Sequence, residues 1–382
     1  MTFISRILNL SAACHKRSYF LFGPRQTGKS SLIRQTLPDA IVYDLLDSTT
    51  YAALSRDPTL LRQESMAQQD KNKLIVIDEI QKLPILLDEV HLQIERFGHL
   101  FLLTGSNARK LRRGGVNLLG GRARTLYLHP FVYQELKDFD LHRVLNIGLL
   151  PSIYSSDDPE GDLSAYIGAY IQEEIAAEAV VRNIPAFSRF LEVAAFCNGA
   201  IINYSAIAND AQVARTTVQE YFAILKDTLI AREVPAFNKT RKRKALATSK
   251  CYFFDTGVVR SLRHQGQIAL RSPEAGLAFE TYICHELASY LDYTNSGELY
   301  YWRSASGFEV DFIINGQLAI EVKASAIISK SDLRGHKALR EESLVRDSII
   351  VCLVNRPRII DGIKILPYTE FLKRLWDGHY RL

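Results

Sequence analysis

Cysteine pairs and long apolar runs are missing from this sequence, and each absence excludes a class of protein. The cysteines, Cys14, Cys197, Cys251, Cys284 and Cys352, are scattered and form no Cys-x-x-Cys pair, which argues against structural zinc and disulfides and favours a reducing cytosol. No run approaches the roughly 18 apolar residues of a membrane span, and the first residues lack the apolar core of a signal peptide. We therefore expect a cytoplasmic protein with no membrane partner.

The rest of the composition is that of an ordinary folded protein. Apolar residues make up 47% and charged residues 23% of the 382 positions, and the net charge is only +5. Such a mild positive charge permits nucleic-acid binding without demanding it, and the length exceeds that of one ordinary core. We therefore expect two or three globular domains.

A complete Walker A loop is the most informative segment. An apolar run at residues 19–22 precedes it and a helical pattern at residues 31–36 follows, which is the strand–loop–helix context of a phosphate site. Backbone N–H groups would surround the phosphates, Lys29 would reach the β- and γ-phosphates, and the Ser30 hydroxyl would ligate Mg²⁺. The predicted ATP-binding residues are Gly23, Pro24, Arg25, Gln26, Thr27, Gly28, Lys29, Ser30 and Ser31.

A second strand carries the acids that this chemistry needs. Residues 74–79 form an unbroken apolar run that ends in Asp78 and Glu79, as in a parallel strand buried on both faces. The carboxyl end of such a strand falls beside the P-loop. We therefore predict that Asp78 holds Mg²⁺, directly or through water, and that Glu79 polarises the attacking water.

Two further elements are candidates for contacts with the γ-phosphate. Ser106 and Asn107 follow a predicted strand at residues 100–103, where a polar side chain acts as a sensor or merely forms a turn. Arg122 follows a basic loop, and a guanidinium on a γ-phosphate is worth roughly 10³–10⁵ in rate. A solvated basic loop is the alternative, and the sequence leaves open whether Arg122 acts in cis or in trans.

Several motifs along the chain resemble one family. They are the Walker A loop, the I-D-E-x-Q-K-L-P stretch at residues 77–84, the T-G-S turn, the G-G-R element, G-L-L-P at 148–151, D-T-G at 255–257 and an acidic hairpin near residue 311. Together they resemble bacterial and archaeal AAA-superfamily ATPases with a C-terminal domain of unknown function, over nearly the whole chain. The resemblance implies a P-loop ATPase that uses ATP and Mg²⁺, with a nuclease-like C-terminal domain.

The middle of the chain has the pattern of a winged helix. Helices are predicted at 189–197, at 205–209 and from Thr216 onward, followed by strands near 229–234 and 251–254. The connection between these strands is basic and would contact the phosphates of duplex DNA; in the alternative, the module docks protein and the charge is solvated. Its basic residues are Lys239, Arg241, Lys242, Arg243, Lys244 and Lys250.

The C-terminal third contains a hairpin that resembles the core of PD-(D/E)xK nucleases. Asp311 lies on its first strand, and Glu321 and Lys323 lie on its second. The resemblance implies that the acids bind Mg²⁺ and that the lysine orients or deprotonates water, with Glu280 on a helix at 276–291 as an additional acid. The pattern departs from the strict motif because no proline precedes Asp311.

Strand register provides a test of this hairpin. A two-residue turn at Asn315 and Gly316 would place Asp311 and Glu321 on opposite faces, whereas burying the apolar side chains together requires a three-residue loop or a bulge. The shifted register puts Asp311 opposite Glu321, with Lys323 beside them, and we predict it. The alternative for the acids is an ordinary half-exposed sheet with one charged face.

The predicted architecture is α/β: an AAA-type P-loop ATPase domain (1–150), a helical linker with a winged helix (151–260) and a PD-(D/E)xK nuclease-like α/β domain (261–382). The predicted function is Mg²⁺-dependent ATP hydrolysis coupled to DNA binding or processing. The alternative is an ATP-gated protein-interaction switch with an inactive nuclease-like domain. The oligomeric state stays open.

Overall fold

The computed structural model describes residues 4–68, 73–106, 118–170, 183–239 and 245–380. Its contacts divide the chain into two compact units. The first extends to Phe131 and includes Asp227–Leu229, and the second comprises Val132–Lys226 and the chain from Ile230 onward. The three domain ranges drawn from the sequence stay predictions.

The first unit is built on a parallel sheet with the strand order β2-β3-β4-β1-β5. The central strands β1, β3 and β4 are almost wholly buried, which is why they read as unbroken apolar runs. Because parallel strands end at the same edge, the carboxyl ends of these three strands lie together. The strands are β1 Ser18–Phe22, β2 Ile41–Asp44, β3 Ile75–Asp78, β4 Phe101–Gly105 and β5 Ala123–Tyr127.

Helices cover both faces of this sheet. Along β1, Phe20 and Phe22 pack into one core with Ile77, while Leu21 packs on the other side with Leu32 of the helix after the P-loop. The resulting three layers are those expected of an α/β fold. The helices are Leu10–Cys14, Lys29–Thr36, Ser48–Arg56, Leu60–Met66 and Leu86–Phe97, with 3₁₀ turns at Ile80–Lys82 and Leu118–Gly121.

The second unit contains a helical module that includes an antiparallel hairpin of β6 (Ala231–Val234) and β7 (Lys250–Phe253). The last three described helices before the hairpin, Ile184–Phe196, Tyr204–Asp210 and Arg215–Asp227, contribute apolar residues to one core. This is the element order that a winged helix requires, and the identification stays a prediction. The helices of the module are Leu141–Ile147, Pro151–Tyr154, Pro159–Tyr170, Ile184–Phe196, Tyr204–Asp210, Arg215–Asp227 and Thr256–Leu262, after a 3₁₀ turn at Tyr133–Glu135.

Two of the sequence motifs meet inside this unit. Asp255 accepts hydrogen bonds from the N–H of Leu149 at 2.6 Å and from the N–H of Val258 at 3.1 Å. Gly148 has φ 77°, and a Cβ on it would lie 2.0 Å from a carboxylate oxygen of Asp255. The G-L-L-P and D-T-G segments therefore contact each other closely, and this contact requires glycine at position 148.

A six-stranded mixed sheet follows, in the order β12-β13-β11-β10-β9-β8. Its helices are Pro273–Thr294, Arg334–Arg340 and Tyr368–Trp376, with a 3₁₀ turn at Lys330–Leu333. Strands β8 and β12 were not predicted from the sequence. The strands are β8 Leu299–Arg303, β9 Glu309–Ile314, β10 Leu318–Lys323, β11 Asp347–Cys352, β12 Arg358–Ile360 and β13 Ile363–Pro367.

The register of the β9–β10 hairpin is the one predicted from apolar burial. Ile314 pairs with Leu318 and Phe312 with Ile320, so three residues form the loop. Asn315 and Gly316 adopt positive φ values of 51° and 68° there. Continuing this pairing places Asp311 opposite Glu321, and the two-residue turn is excluded.

Two expectations drawn from absences can be compared with the structure. None of the helices in the described ranges is both long and apolar enough to cross a membrane. The five cysteines are free thiols.

Candidate nucleotide site and a second carboxylate cluster

The Walker A segment forms a tight loop between β1 and the helix Lys29–Thr36. Gly28 has φ 89° at the N-cap of that helix, a left-handed conformation that glycine adopts without steric cost. The Thr27 hydroxyl donates to the Pro24 carbonyl at 2.9 Å. Lys29 Nζ donates to the carbonyls of Gly23 and Pro24 at 2.8 and 3.0 Å. The ammonium group is therefore held inside the loop at a helix N-terminus, where anions bind well.

Arg6 contacts this loop from the N-terminal segment, and the sequence analysis did not identify it. Its guanidinium donates to the Thr27 carbonyl at 2.7 Å and to the His129 carbonyl at 2.6 Å. It also lies 5.1 Å from the centre of the Phe131 ring. The rigid fork of an arginine can hold two carbonyls at once, so Arg6 ties the P-loop to the segment after β5.

Hydroxyl groups surround Asp78 at the end of β3. Ser30 Oγ donates to Asp78 Oδ2 at 2.7 Å, and the Thr104 hydroxyl donates to Asp78 Oδ1. Asp78 is only 4% exposed, yet the donors on both of its oxygens are neutral. A hydroxyl and a carboxylate side by side are oxygen ligands suited to Mg²⁺, so these residues fit the ion that the P-loop implies.

Glu79 adopts a backbone conformation that is unusual for a residue with a side chain. Its φ of 60° and ψ of 44° are left-handed, which costs roughly 1–2 kcal/mol for a residue with a Cβ. Its N–H donates to Thr104 Oγ1 at 3.1 Å, and its carboxylate accepts from Gln81 Nε2. Burial is the main cause that raises the pKa of Glu79, and Lys29 partly opposes it. A raised pKa makes this carboxylate a better proton acceptor.

The other residues predicted near the γ-phosphate lie in different surroundings. Ser106 is buried, and its hydroxyl lies 3.3 Å from Gln81 Nε2. Asn107 lies outside the described residues. Arg122 is half-exposed and forms an ion pair with Glu95. Thr104, which the sequence analysis did not single out, is the β4 residue that contacts both Asp78 and Glu79.

The second cluster of acids lies on the β9–β10 hairpin. Asp311 and Glu321 are 7% and 8% exposed, so the alternative of a solvated charged face is wrong. Asp311 Oδ2 accepts from the N–H of Val322 at 2.8 Å, and Lys323 Nζ donates to Glu321 Oε1 at 2.7 Å. Within the described residues, Glu321 Oε2 is buried and has no hydrogen-bond partner.

These acids influence one another. Burial raises the pKa of Asp311 well above its usual range, and the charges of Glu321 and Glu280 raise it further. Burial also raises the pKa of Glu321, although Lys323 opposes that shift. The charge of Glu280, on the helix Pro273–Thr294, therefore raises the pKa of both hairpin acids. Within the described residues, however, no three His, Cys, Asp or Glu side chains lie close enough to hold a metal ion.

Three protein-family models match successive parts of the chain. Residues 15–137 match an AAA domain family (AAA_14). Residues 138–269 match a domain of unknown function, DUF8612, and residues 275–371 match another, DUF4143. The first match supports a P-loop ATPase of AAA type in the first part of the chain. The other two descriptions name no activity, so the winged helix and the nuclease-like domain stay predictions.

Individual proteins are similar over much of the chain. An uncharacterized protein of Mycobacterium tuberculosis is 28% identical over 95% of this chain and 83% of its own length. An uncharacterized protein of Haemophilus influenzae is 24% identical over 62% of this chain and 67% of its own length. A solved Walker-type ATPase of Pyrococcus abyssi covers 67% of this chain and 93% of its own, at 15% identity and a TM-score of 0.47.

Proposed function

We propose that the chain is a Mg²⁺-dependent ATPase whose catalytic residues lie at the carboxyl ends of β1, β3 and β4. The hydrogen bond from Ser30 Oγ to Asp78 Oδ2, at 2.7 Å, carries this proposal. It joins the phosphate-binding loop to the acid that follows β3, which is the pairing that holds Mg²⁺ in P-loop enzymes. When bound, the ion would neutralise charge on the β- and γ-phosphates.

The other proposed roles belong to residues of the chain itself. Lys29 lies inside the loop and would bind the β- and γ-phosphates. Glu79 would accept a proton from the attacking water, and its raised pKa suits that role. Thr104 orients both acids, because it bonds the Asp78 carboxylate and the Glu79 backbone. Arg122 is proposed to approach the γ-phosphate in cis or in trans once it leaves Glu95, with Asn107 as a sensor.

The test is ATP hydrolysis by the wild type and by Glu79→Gln, each with and without duplex DNA. We expect the variant to lose roughly 10²–10⁴ in turnover, the usual contribution of a general base, while still binding ATP. Glu321→Gln removes a buried acid from the second unit and is the control, with turnover unchanged. Full turnover in Glu79→Gln would contradict the assignment.

A second proposal is that ATP turnover is coupled to duplex DNA. It is supported by the three helices followed by the β6–β7 hairpin, the element order of a winged helix. The basic residues Arg241, Lys242, Arg243 and Lys244 connect these strands and lie outside the described residues. Neutralising all four should flatten the salt dependence of DNA binding by about one unit of slope for each phosphate that is no longer neutralised. An unchanged slope would remove the support for DNA contact.

Metal-dependent cleavage is the finer proposal for the C-terminal domain. The β9–β10 register supports it, because it brings Asp311 opposite Glu321 with Lys323 bonded to the latter. Mg²⁺-dependent nicking of DNA that disappears in Asp311→Asn would support an active nuclease. Absence of nicking, together with ATPase activity that ignores DNA, would favour the ATP-gated protein-interaction switch.

A further inference from the structure

Gln81 lies two residues after Glu79, in the I-D-E-x-Q-K-L-P stretch, and the proposed mechanism gives it no role. It belongs to the 3₁₀ turn Ile80–Lys82 and is only 8% exposed. Its Nε2 donates to Glu79 Oε2 and lies 3.3 Å from Ser106 Oγ. One amide therefore joins the carboxylate that would accept the proton of the attacking water to a hydroxyl that follows β4.

Gly105 makes room for this amide. A Cβ at position 105 would lie 2.5 Å from Gln81 Oε1. Among the described residues outside its chain neighbours, the nearest atom of any other side chain would be Phe22 Cε1, at an ordinary 3.7 Å. Gly105 does not adopt a positive φ, so its backbone conformation does not call for glycine. The approach of Gln81 therefore explains the glycine of the T-G-S turn.

Holding the amide in this place is unfavourable for stability. Within the described residues, Gln81 Oε1 is buried and has no hydrogen-bond partner, and an unsatisfied buried acceptor is destabilising. Glu79, to which the amide donates, has the left-handed backbone conformation that a residue with a Cβ avoids. Two unfavourable arrangements therefore meet at one carboxylate. Such costs collect at functional sites, where the surrounding structure fixes one geometry.

Thr104 and Gln81 hold different parts of Glu79. The Glu79 N–H donates to Thr104 Oγ1 at 3.1 Å, which fixes the backbone, and the Gln81 amide bonds the carboxylate. Because an amide is a neutral donor, it orients the carboxylate without compensating its charge, as a bonded ammonium would. The negative charge of Glu79 therefore stays available to the proton of the attacking water.

We propose that Gln81 is a positioning residue for ATP hydrolysis. Its amide holds the Glu79 carboxylate in the orientation that accepts a proton from the attacking water, and Gly105 is required because it admits that amide. The inference rests on the proposed role of Glu79 as the proton acceptor. It adds that this role depends on a side chain that need not touch the nucleotide.

The first test compares ATP turnover with the affinity for a fluorescent ATP analogue in Gln81→Met. This variant keeps most of the side-chain volume but removes the amide donor. We expect turnover to fall about tenfold, because a hydrogen bond to a charged group is lost. Affinity should stay within about twofold, since the P-loop binds the phosphates. A role in packing alone would leave turnover unchanged in this variant.

The second test displaces the amide without deleting it. In Gly105→Ala the added methyl group meets the flexible end of Gln81 rather than backbone, so the chain should fold, and its melting temperature checks this. We expect turnover to fall by a similar factor. In the Gln81→Ala background the methyl group meets no amide, so Gly105→Ala should cause no further loss; such non-additivity identifies residues that act together.

Gly276→Ala is the control for the added methyl group. Gly276 lies in the helix Pro273–Thr294 of the second unit, and a Cβ there would meet none of the described atoms it could contact within 4 Å. Turnover should be unchanged in this variant.

Glu79→Gln in the same assay separates the inference from the function on which it rests. Loss of turnover in Glu79→Gln with normal turnover in Gln81→Met would overturn positioning by Gln81 and leave the role of Glu79. Additive losses in the double variant, or an affinity that falls as much as turnover, would overturn it too. Full turnover in Glu79→Gln, or no hydrolysis by the wild type, would overturn the proposed function and this inference with it.

Discussion

Each of the two clusters combines two acids with a lysine, but they satisfy the carboxylates in different ways. At the end of β3, the hydroxyls of Ser30 and Thr104 donate to Asp78, and Lys29 bonds backbone carbonyls. On the β9–β10 hairpin, the ammonium of Lys323 bonds Glu321 directly. Lys250, which is buried, adds a second ammonium to the latter cluster. Similar residue types therefore form two different electrostatic environments.

The difference shows that a count of acids does not predict a metal site. Neutral hydroxyl donors leave the negative charge of a carboxylate available to a cation, whereas ammonium groups already compensate it. The first cluster therefore suits the Mg²⁺ and phosphate that we propose for it. In the second, Lys323 and Lys250 already lie against the acids.

The largest expected effect is on ATP binding, when the lysine of each cluster is replaced. Lys29→Ala should abolish measurable ATP binding, because it removes the charge that the P-loop holds for the phosphates. Lys323→Ala should leave ATP affinity within about twofold, since its partner Glu321 belongs to the other cluster. Titration with a fluorescent ATP analogue measures both. Tight binding by Lys29→Ala would mean that the loop has another role.

For the stability of the second unit, replacing Lys323 is expected to have a larger effect than replacing Lys29. Lys323→Met leaves Glu321, which is 8% exposed, without the ammonium at 2.7 Å. We expect the free energy of unfolding to fall by about 1–3 kcal/mol, the usual cost of an unsatisfied buried partner. Urea unfolding followed by tryptophan fluorescence measures the second unit alone, because both tryptophans lie there.

Lys29→Met is the matched control in the same assay. It removes an ammonium that bonds carbonyls of the first unit, so the tryptophan-detected transition should not move. A shift as large as that of Lys323→Met would show that the two clusters are coupled energetically. No shift in Lys323→Met would show that solvent replaces the lysine, which is 35% exposed.

Thr104 tests whether neutral donors matter for catalysis. Thr104→Val keeps the shape of the side chain but removes the hydroxyl that bonds Asp78 and accepts from the Glu79 N–H. We expect turnover to fall about tenfold or more, since a hydrogen bond to a charged group is worth roughly 1.5–3 kcal/mol. Steady-state ATP hydrolysis measures this.

Two controls accompany Thr104→Val. Thr104→Ser retains the hydroxyl and should keep most of the turnover. Thr281→Val removes an equally buried hydroxyl from the second unit, where it accepts from Asn198 and donates to the Leu277 carbonyl, and should not affect turnover. Normal turnover in Thr104→Val would assign the orientation of the acids to other residues.

The sequence predicted what depends on local pattern. The Walker A loop, the acids after β3 and the β9–β10 register each follow from residue spacing or apolar alternation, and the structure has the loop and the register as predicted. Burying the apolar side chains of a hairpin together leaves one pairing, and this is why the register of Asp311 could be derived.

What the sequence did not predict depends on contacts between distant segments. From the sequence, Thr104 was part of a turn and Lys250 was one of several basic residues. No role was predicted for Arg6. Thr104 is 26 residues from its partner Asp78, and Lys250 is 30 residues from Glu280. Arg6 is 123 residues from His129. No local pattern in the sequence encodes these distances.

Arg6 provides the smallest expected effect and the finest test of the first cluster. Arg6→Lys keeps the positive charge, but one ammonium cannot reproduce the fork that bonds both the Thr27 and His129 carbonyls. Loss of one such bond, worth roughly 0.5–1.5 kcal/mol, should weaken ATP-analogue binding about threefold through a looser P-loop. Arg17→Lys changes an exposed arginine ahead of β1 and is the control. Unchanged affinity in Arg6→Lys would mean that the loop keeps its shape without the fork, and that neutral donors around Asp78 are sufficient to form the site.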